Sequence, residues 1–104
     1  MIYYVDIDET ICVYDHGDKS QERDYSKARP IKENIEKINE LYDAGHTIIY
    51  WTARGTLSGK NWFKLTGRQL DRWGAKYHEY KVGKPYYDYF ICDKAINSEL
   101  FFKK

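Results

Sequence analysis

Ile2-Tyr3-Tyr4-Val5-Asp6-Ile7-Asp8-Glu9-Thr10 begins as an apolar, β-prone run and ends on carboxylates and a hydroxyl. The run is too short for a helix and too continuous for a half-exposed strand, so it predicts a buried central strand. Side chains alternate across an extended backbone, so Asp6 and Asp8 share one side, and Thr10 can join them from the turn beyond. Like charges held that close repel unless a cation or a shared proton compensates. A hard divalent ion meets that need, and Mg²⁺ is commonly held by one or two carboxylates plus the phosphate oxygens of a substrate. Asp is also an ordinary turn residue, so the acids alone leave a plain acidic turn open. Their place at the carboxyl end of a strand favours a site, because open α/β sheets bind ligands there.

The 104 residues make a single domain, 1–104, with room for one core. An apolar fraction of 42% marks a globular chain rather than a disordered one. A net charge of +1 argues against general polyanion binding, so no nucleic-acid partner is expected. Residues 46–87 carry eight Lys and Arg against two Asp and Glu, which makes the middle of the chain either an anion-attracting surface or a solvated basic face. Cys12 and Cys92 have neither metal-knuckle nor redox spacing and read as free thiols. With no signal peptide and no apolar run of membrane length, the expectation is a cytoplasmic protein with no membrane partner.

Beyond Thr10, residues 12–29 are mostly polar and charged and read as a loop or small hairpin flap over the acids. Pro30 suits a first helical turn, and Ile31, Ile35, Ile38 and Leu41 recur at helical spacing until Gly45 stops them. His46-Thr47-Ile48-Ile49-Tyr50-Trp51 should be the neighbouring parallel strand. Thr52 falls at its carboxyl end, where a hydroxyl can donate to a phosphate oxygen, and Arg54 could add a charged fork. Residues 55–60 form a small-residue loop that lacks the spacing of a P-loop. Trp62, Leu65, Gln69 and Trp73 share a helical face ending before Gly74, residues 75–81 suggest an edge strand, 86–91 a last strand and 94–102 a final helix.

Four features in order resemble the motifs of the haloacid dehalogenase superfamily. They are Asp6-Ile7-Asp8-Glu9-Thr10, Thr52 within Trp51-Thr52-Ala53-Arg54, Lys84 before the last strand and Asp93 after it. The resemblance covers nearly the whole chain. It implies an α/β, three-layer Rossmann-like domain with a mainly parallel sheet of roughly four strands, helices on both faces and no large cap. The small size and the Gly83-Lys84-Pro85 and Asp93-Lys94-Ala95-Ile96-Asn97 segments are similar to short phosphatases of capsule-polysaccharide biosynthesis.

By that resemblance Asp6 is the nucleophile that becomes an aspartyl phosphate, and Asp8 protonates the leaving oxygen and then activates water. Thr52 and Lys84 hold the phosphoryl group, with Thr10 and Arg54 binding substrate. Mg²⁺ bridges Asp6, the Asp8 carbonyl and Asp93. Close relatives often carry two acids where this chain has Cys92-Asp93, which implies a weaker metal site, and Asn97 is expected to help. The substrate expected is a small organic phosphate monoester, with a sugar phosphate favoured. No interval is long enough for a folded cap, which leaves room for a homo-oligomer whose neighbour closes the site. The rival readings are a receiver-like phosphoaspartate signalling domain and a catalytically impaired binding protein on the same fold.

Overall fold

The computed structural model describes residues 1–15 and 23–103. Strand β1 (Ile2–Val5) leads through a tight turn into a short hairpin, β2 (Cys12–Val13) pairing antiparallel with β3 (Arg29–Pro30). Residues 16–22 of the expected flap lie outside the described residues. Helix α1 (Lys32–Asp43), β4 (Thr47–Trp51), helix α2 (Phe63–Arg72), β5 (Glu79–Lys81) and helix α3 (Ser98–Phe101) follow. Pro30 lies in β3, so α1 starts two residues later than the proline suggests. It bonds there because Ile31 N–H, not Pro30, reaches the Ile11 carbonyl.

The sheet is parallel and three-stranded, in the order β1-β4-β5, with Val5 opposite Tyr50 and Tyr50 opposite Tyr80. Both crossovers step the same way across the sheet. Right-handed connections then put α1 and α2 on the same face. That face holds the core: Val5, Ile48 and Tyr50 from the strands meet Ile35 and Ile38 of α1 and Leu70 of α2. Gly67 lets α2 lie directly on β5, because a Cβ there would run into the Tyr80 ring and hydroxyl.

The α/β class and the parallel sheet hold, but the expected four strands do not: among the described residues the sheet has three. Residues 86–91 are irregular, and Tyr89 and Ile91 are 89% and 98% exposed. β1 is consequently an edge strand rather than a buried central one, with Ile2 and Tyr4 exposed on the face away from the helices. The two departures have one cause. A strand beyond β1 would reverse the direction of crossover and bring a helix to the second face. Without it that face stays open. The last helix is likewise only four residues, capped by the Asn97 side chain and held to α1 where Lys37 Nζ donates to the Phe101 carbonyl.

Among the described residues the Tyr50 hydroxyl is the one buried side-chain polar atom lacking a partner. Burial raises its pKa, so it stays a neutral, unsatisfied O–H in the core. Tyr50→Phe should therefore raise stability by about 1 kcal/mol, read as a higher urea midpoint with unchanged slope.

Candidate functional site

The turn after β1 builds the site. Thr10 N–H and Ile11 N–H both donate to the Ile7 carbonyl, and Glu9 N–H donates to the Cys12 carbonyl. This closure forces Glu9 to a φ of 64°, the left-handed region that a non-glycine residue rarely enters. Fully buried Ile7 and Ile11 pin the turn from below. With Ile7 held inward, Asp6 and Asp8 project to the carboxyl end of the sheet, as alternation requires.

The acids then meet different surroundings. The Asp6 side chain is 41% exposed, with Oδ1 accepting from Ile7 N–H at 2.9 Å and lying 3.7 Å from Lys84 Nζ. Burial pushes its carboxyl above the usual range. Lys84 and the Ile7 N–H pull it back, Asp8 adds to the rise, and the net direction is upward. Lys84 is fixed by its backbone: its N–H donates to the Thr52 carbonyl at 3.1 Å and its carbonyl accepts from Thr56 Oγ at 2.7 Å. Lys81, the other lysine near this stretch, lies over the Tyr4 ring. Asp6, Ala53, Lys84 and the 85–87 segment line an open cavity of about 210 Å³.

Asp8 is enclosed. Arg54 grips it with two prongs, Nε to Oδ2 at 3.0 Å and Nη2 to Oδ1 at 2.8 Å. The Tyr14 hydroxyl and the Cys12 thiol also donate to Oδ1. Burial alone would raise the Asp8 carboxyl, but the hydrogen bonds and charge of Arg54, aided by Tyr14 and Cys12, hold it below the ordinary carboxylate range. The same burial, with the Asp8 charge, pushes the Cys12 thiol and Tyr14 phenol up, so both remain protonated donors.

Arg54 therefore differs from the fork expected at a phosphate. Its side chain is 0% exposed, and Nη1 donates to Gln69 Oε1 at 2.6 Å and Thr66 Oγ at 3.1 Å. The Tyr25 ring lies 4.9 Å from its Cζ, and Gln69 Nε2 in turn donates to the Tyr25 carbonyl. With these donors occupied, it braces Asp8. Thr66, Gln69 and Tyr14 were missed in the sequence. A signal existed in α2, where Gln69 sits on an otherwise apolar face, and a buried polar side chain there must find a partner.

Thr52 is buried beside the acids, its Oγ accepting from Arg54 N–H at 3.1 Å. Thr10 is half-buried and offers its carbonyl to Asn34 Nδ2 at 2.9 Å. Asp6, Asp8, Thr52, Lys84 and Arg54 thus share one neighbourhood. Asp93 does not join them: it is exposed, next to Cys92, and Asn97 is used as the α3 cap. Among the described residues no three His, Cys, Asp or Glu side chains come together to hold a metal ion. In this arrangement Asp6 is the available carboxylate, paired with Lys84.

Neither the family models nor the curated proteins give a match to this sequence. Among solved structures, the chain is similar to the crystal structure of a structural-genomics target from Vibrio cholerae. The TM-score is 0.82 at 25% identity, covering 99% of this chain and 88% of that one, so the two share their fold over nearly the whole domain.

Proposed function

We propose that this chain is a phosphatase of the haloacid dehalogenase type, hydrolysing a small organic phosphate monoester, with a sugar phosphate as the favoured substrate. The observation that carries the proposal is the Asp6 carboxylate at the mouth of an open cavity, 3.7 Å from Lys84 and beside Thr52 at the carboxyl end of a parallel sheet. Asp6 would attack phosphorus, forming an aspartyl phosphate as the bond to the leaving oxygen breaks. Lys84 would offset the phosphoryl charge, and water would then release phosphate and restore Asp6. Asp8, kept ionised by Arg54, suits the second step, where a carboxylate takes a proton from water. To donate a proton in the first step it must loosen from Arg54.

Mg²⁺ enters the proposal through the fourth strand. Residues 86–91 are exposed and, apart from Asp88, aromatic or aliphatic, and among the described residues the outer edge of β1 has no neighbouring strand. Added parallel to β1, they would make β1 the switch strand of the sheet and carry Asp93 towards Asp6; added antiparallel, they would carry it away. Hydrogen exchange tests this directly. With millimolar Mg²⁺ and a phosphate mimic, amides of residues 2–5 and 87–92 should gain protection together, and p-nitrophenyl phosphate should turn over only with the metal. No turnover under any metal condition would count against an enzyme.

The Arg54–Asp8 clamp favours one rival, a phosphoaspartate signalling domain. If Arg54, Tyr14 and Cys12 keep both Asp8 oxygens occupied, so that neither can take a proton from water, phospho-Asp6 persists. A phosphorylated form that accumulates for minutes points to signalling, and steady multiple turnover points to hydrolysis.

A further inference from the structure

A second cavity, about 430 Å³, is lined in part by residues next in sequence to those that line the first. The two are separated by consecutive residues on two chain segments: Ala53 and Lys84 line the smaller, Arg54 and Gly83 the larger. The Thr56 hydroxyl, donating to the Lys84 carbonyl, ties the partition together. The larger cavity is thus a neighbour of the one that Asp6 lines. Its volume falls within the roughly 300–1,000 Å³ of small-molecule sites.

The walls are built in advance. Gly55, at a φ of 81°, faces the Lys60 carbonyl where a Cβ would otherwise stand, so the 55–60 loop folds tightly on itself. Gly59 N–H closes it onto the Gly55 carbonyl at 2.8 Å. Phe63 stacks on Tyr80 with centroids 4.5 Å apart and 22° between planes, yet it is 42% exposed. One ring face is backed and the other is free, and Trp62 adjoins it, wedged against Tyr25. This arrangement suits a ring-shaped ligand.

The polar groups set the charge of that ring. Among the described residues no Asp or Glu lines the cavity. Asn61 Oδ1 already accepts from Phe63 N–H, leaving its amide NH₂ to donate. Lys60 is exposed and makes no ion pair with a described residue. Arg54 is spent on Asp8. What distinguishes this wall is the positive charge of Lys60, with no ion pair to a described residue. A neutral sugar gains only ordinary hydrogen bonds from these groups, whereas an anionic group gains charge-assisted ones.

Given the phosphohydrolase reading, we infer that this cavity is the leaving-group subsite and that it selects a sugar ring carrying a second negative charge over a neutral one. Lys60 and the Asn61 amide take the charge, and Phe63 and Trp62 take the ring.

The test compares a hexose 1-phosphate, the corresponding hexuronic acid 1-phosphate and a hexose 1,6-bisphosphate, by kcat/KM and by calorimetric Kd with the Asp6→Asn protein. At least one charged sugar should be preferred over the neutral one by about tenfold, and Lys60→Gln should reduce that ratio to about twofold or less. The better charged sugar shows whether a carboxylate or a phosphate is read. Equal handling of all three by the parent protein, or a preference that survives Lys60→Gln, overturns the inference. Turnover without preference would remove the subsite and leave the phosphatase. A Lys60-dependent binding preference without any turnover would do the reverse.

Discussion

Replacing Arg54 with Met is expected to remove about 3–5 kcal/mol of stability, a large share of the roughly 5–15 kcal/mol that holds a domain of this kind together. The loss comes less from the attraction between the two charges than from what is left behind. Asp8, only 17% exposed along its side chain, would keep a buried negative charge facing Tyr14 and Cys12, neither of which can supply a positive one. Thr66 and Gln69 would lose their shared donor as well. Urea unfolding measures the effect. Arg54→Met combined with Asp8→Leu should recover most of it, because removing both charges leaves nothing to desolvate. If the single change costs under about 1 kcal/mol, water reaches the pair and the enclosed geometry is wrong.

The same pair sets an acid limit. The Asp8 carboxyl sits lower in the folded chain than in the unfolded one, so its contribution is fully present above the unfolded value near 3.9 and is lost as pH falls through the folded value. The parent protein should therefore lose stability on acidification through that range, and Asp8→Asn should flatten this part of the curve.

Asp6→Asn should abolish turnover of p-nitrophenyl phosphate, by about 10³-fold or more, equivalent to roughly 4 kcal/mol of transition-state stabilisation. It should not cost the fold. The Asp6 carboxyl is shifted up, so its contribution to stability is present below the unfolded value and lost as pH rises through the folded one. At neutral pH the ionised form works against folding, and an uncharged amide of the same shape removes that cost. The gain is small, since the side chain is 41% exposed and water screens it. An active Asp6→Asn protein would mean that another group attacks phosphorus.

The first acid and its threonine could be read from the chain because each depends on a local rule. A short apolar run makes a strand, alternation sends Asp6 and Asp8 to one end, and strands separated by a helix bring Thr52 alongside. Lys84 came only from the resemblance of its Gly83-Lys84-Pro85 setting to a family motif, and its N–H on the Thr52 carbonyl is what brings it beside Asp6. Arg54 shows where local rules stop. From spacing it stands two residues past a strand end and could point at any anion there. The side chains that claim it come from the first turn, the hairpin and α2, as many as 46 residues away. Strand propensity likewise marked residues 86–91, but a strand forms only when a neighbour supplies its hydrogen bonds, and among the described residues none does.

The sequence by itself determined the α/β alternation, the parallel pairing of the first two long strands and the convergence of acids and hydroxyl at one end of the sheet. All of these rest on periodicities of two and 3.6 residues that any extended or helical segment must obey. Only the tertiary structure decided that Asp6 stays open to solvent while Asp8 is sealed beneath a buried guanidinium, and that Asp93 stands apart from both. Burial and partner choice depend on which distant surfaces come together, and the desolvation of a charge depends on everything around it.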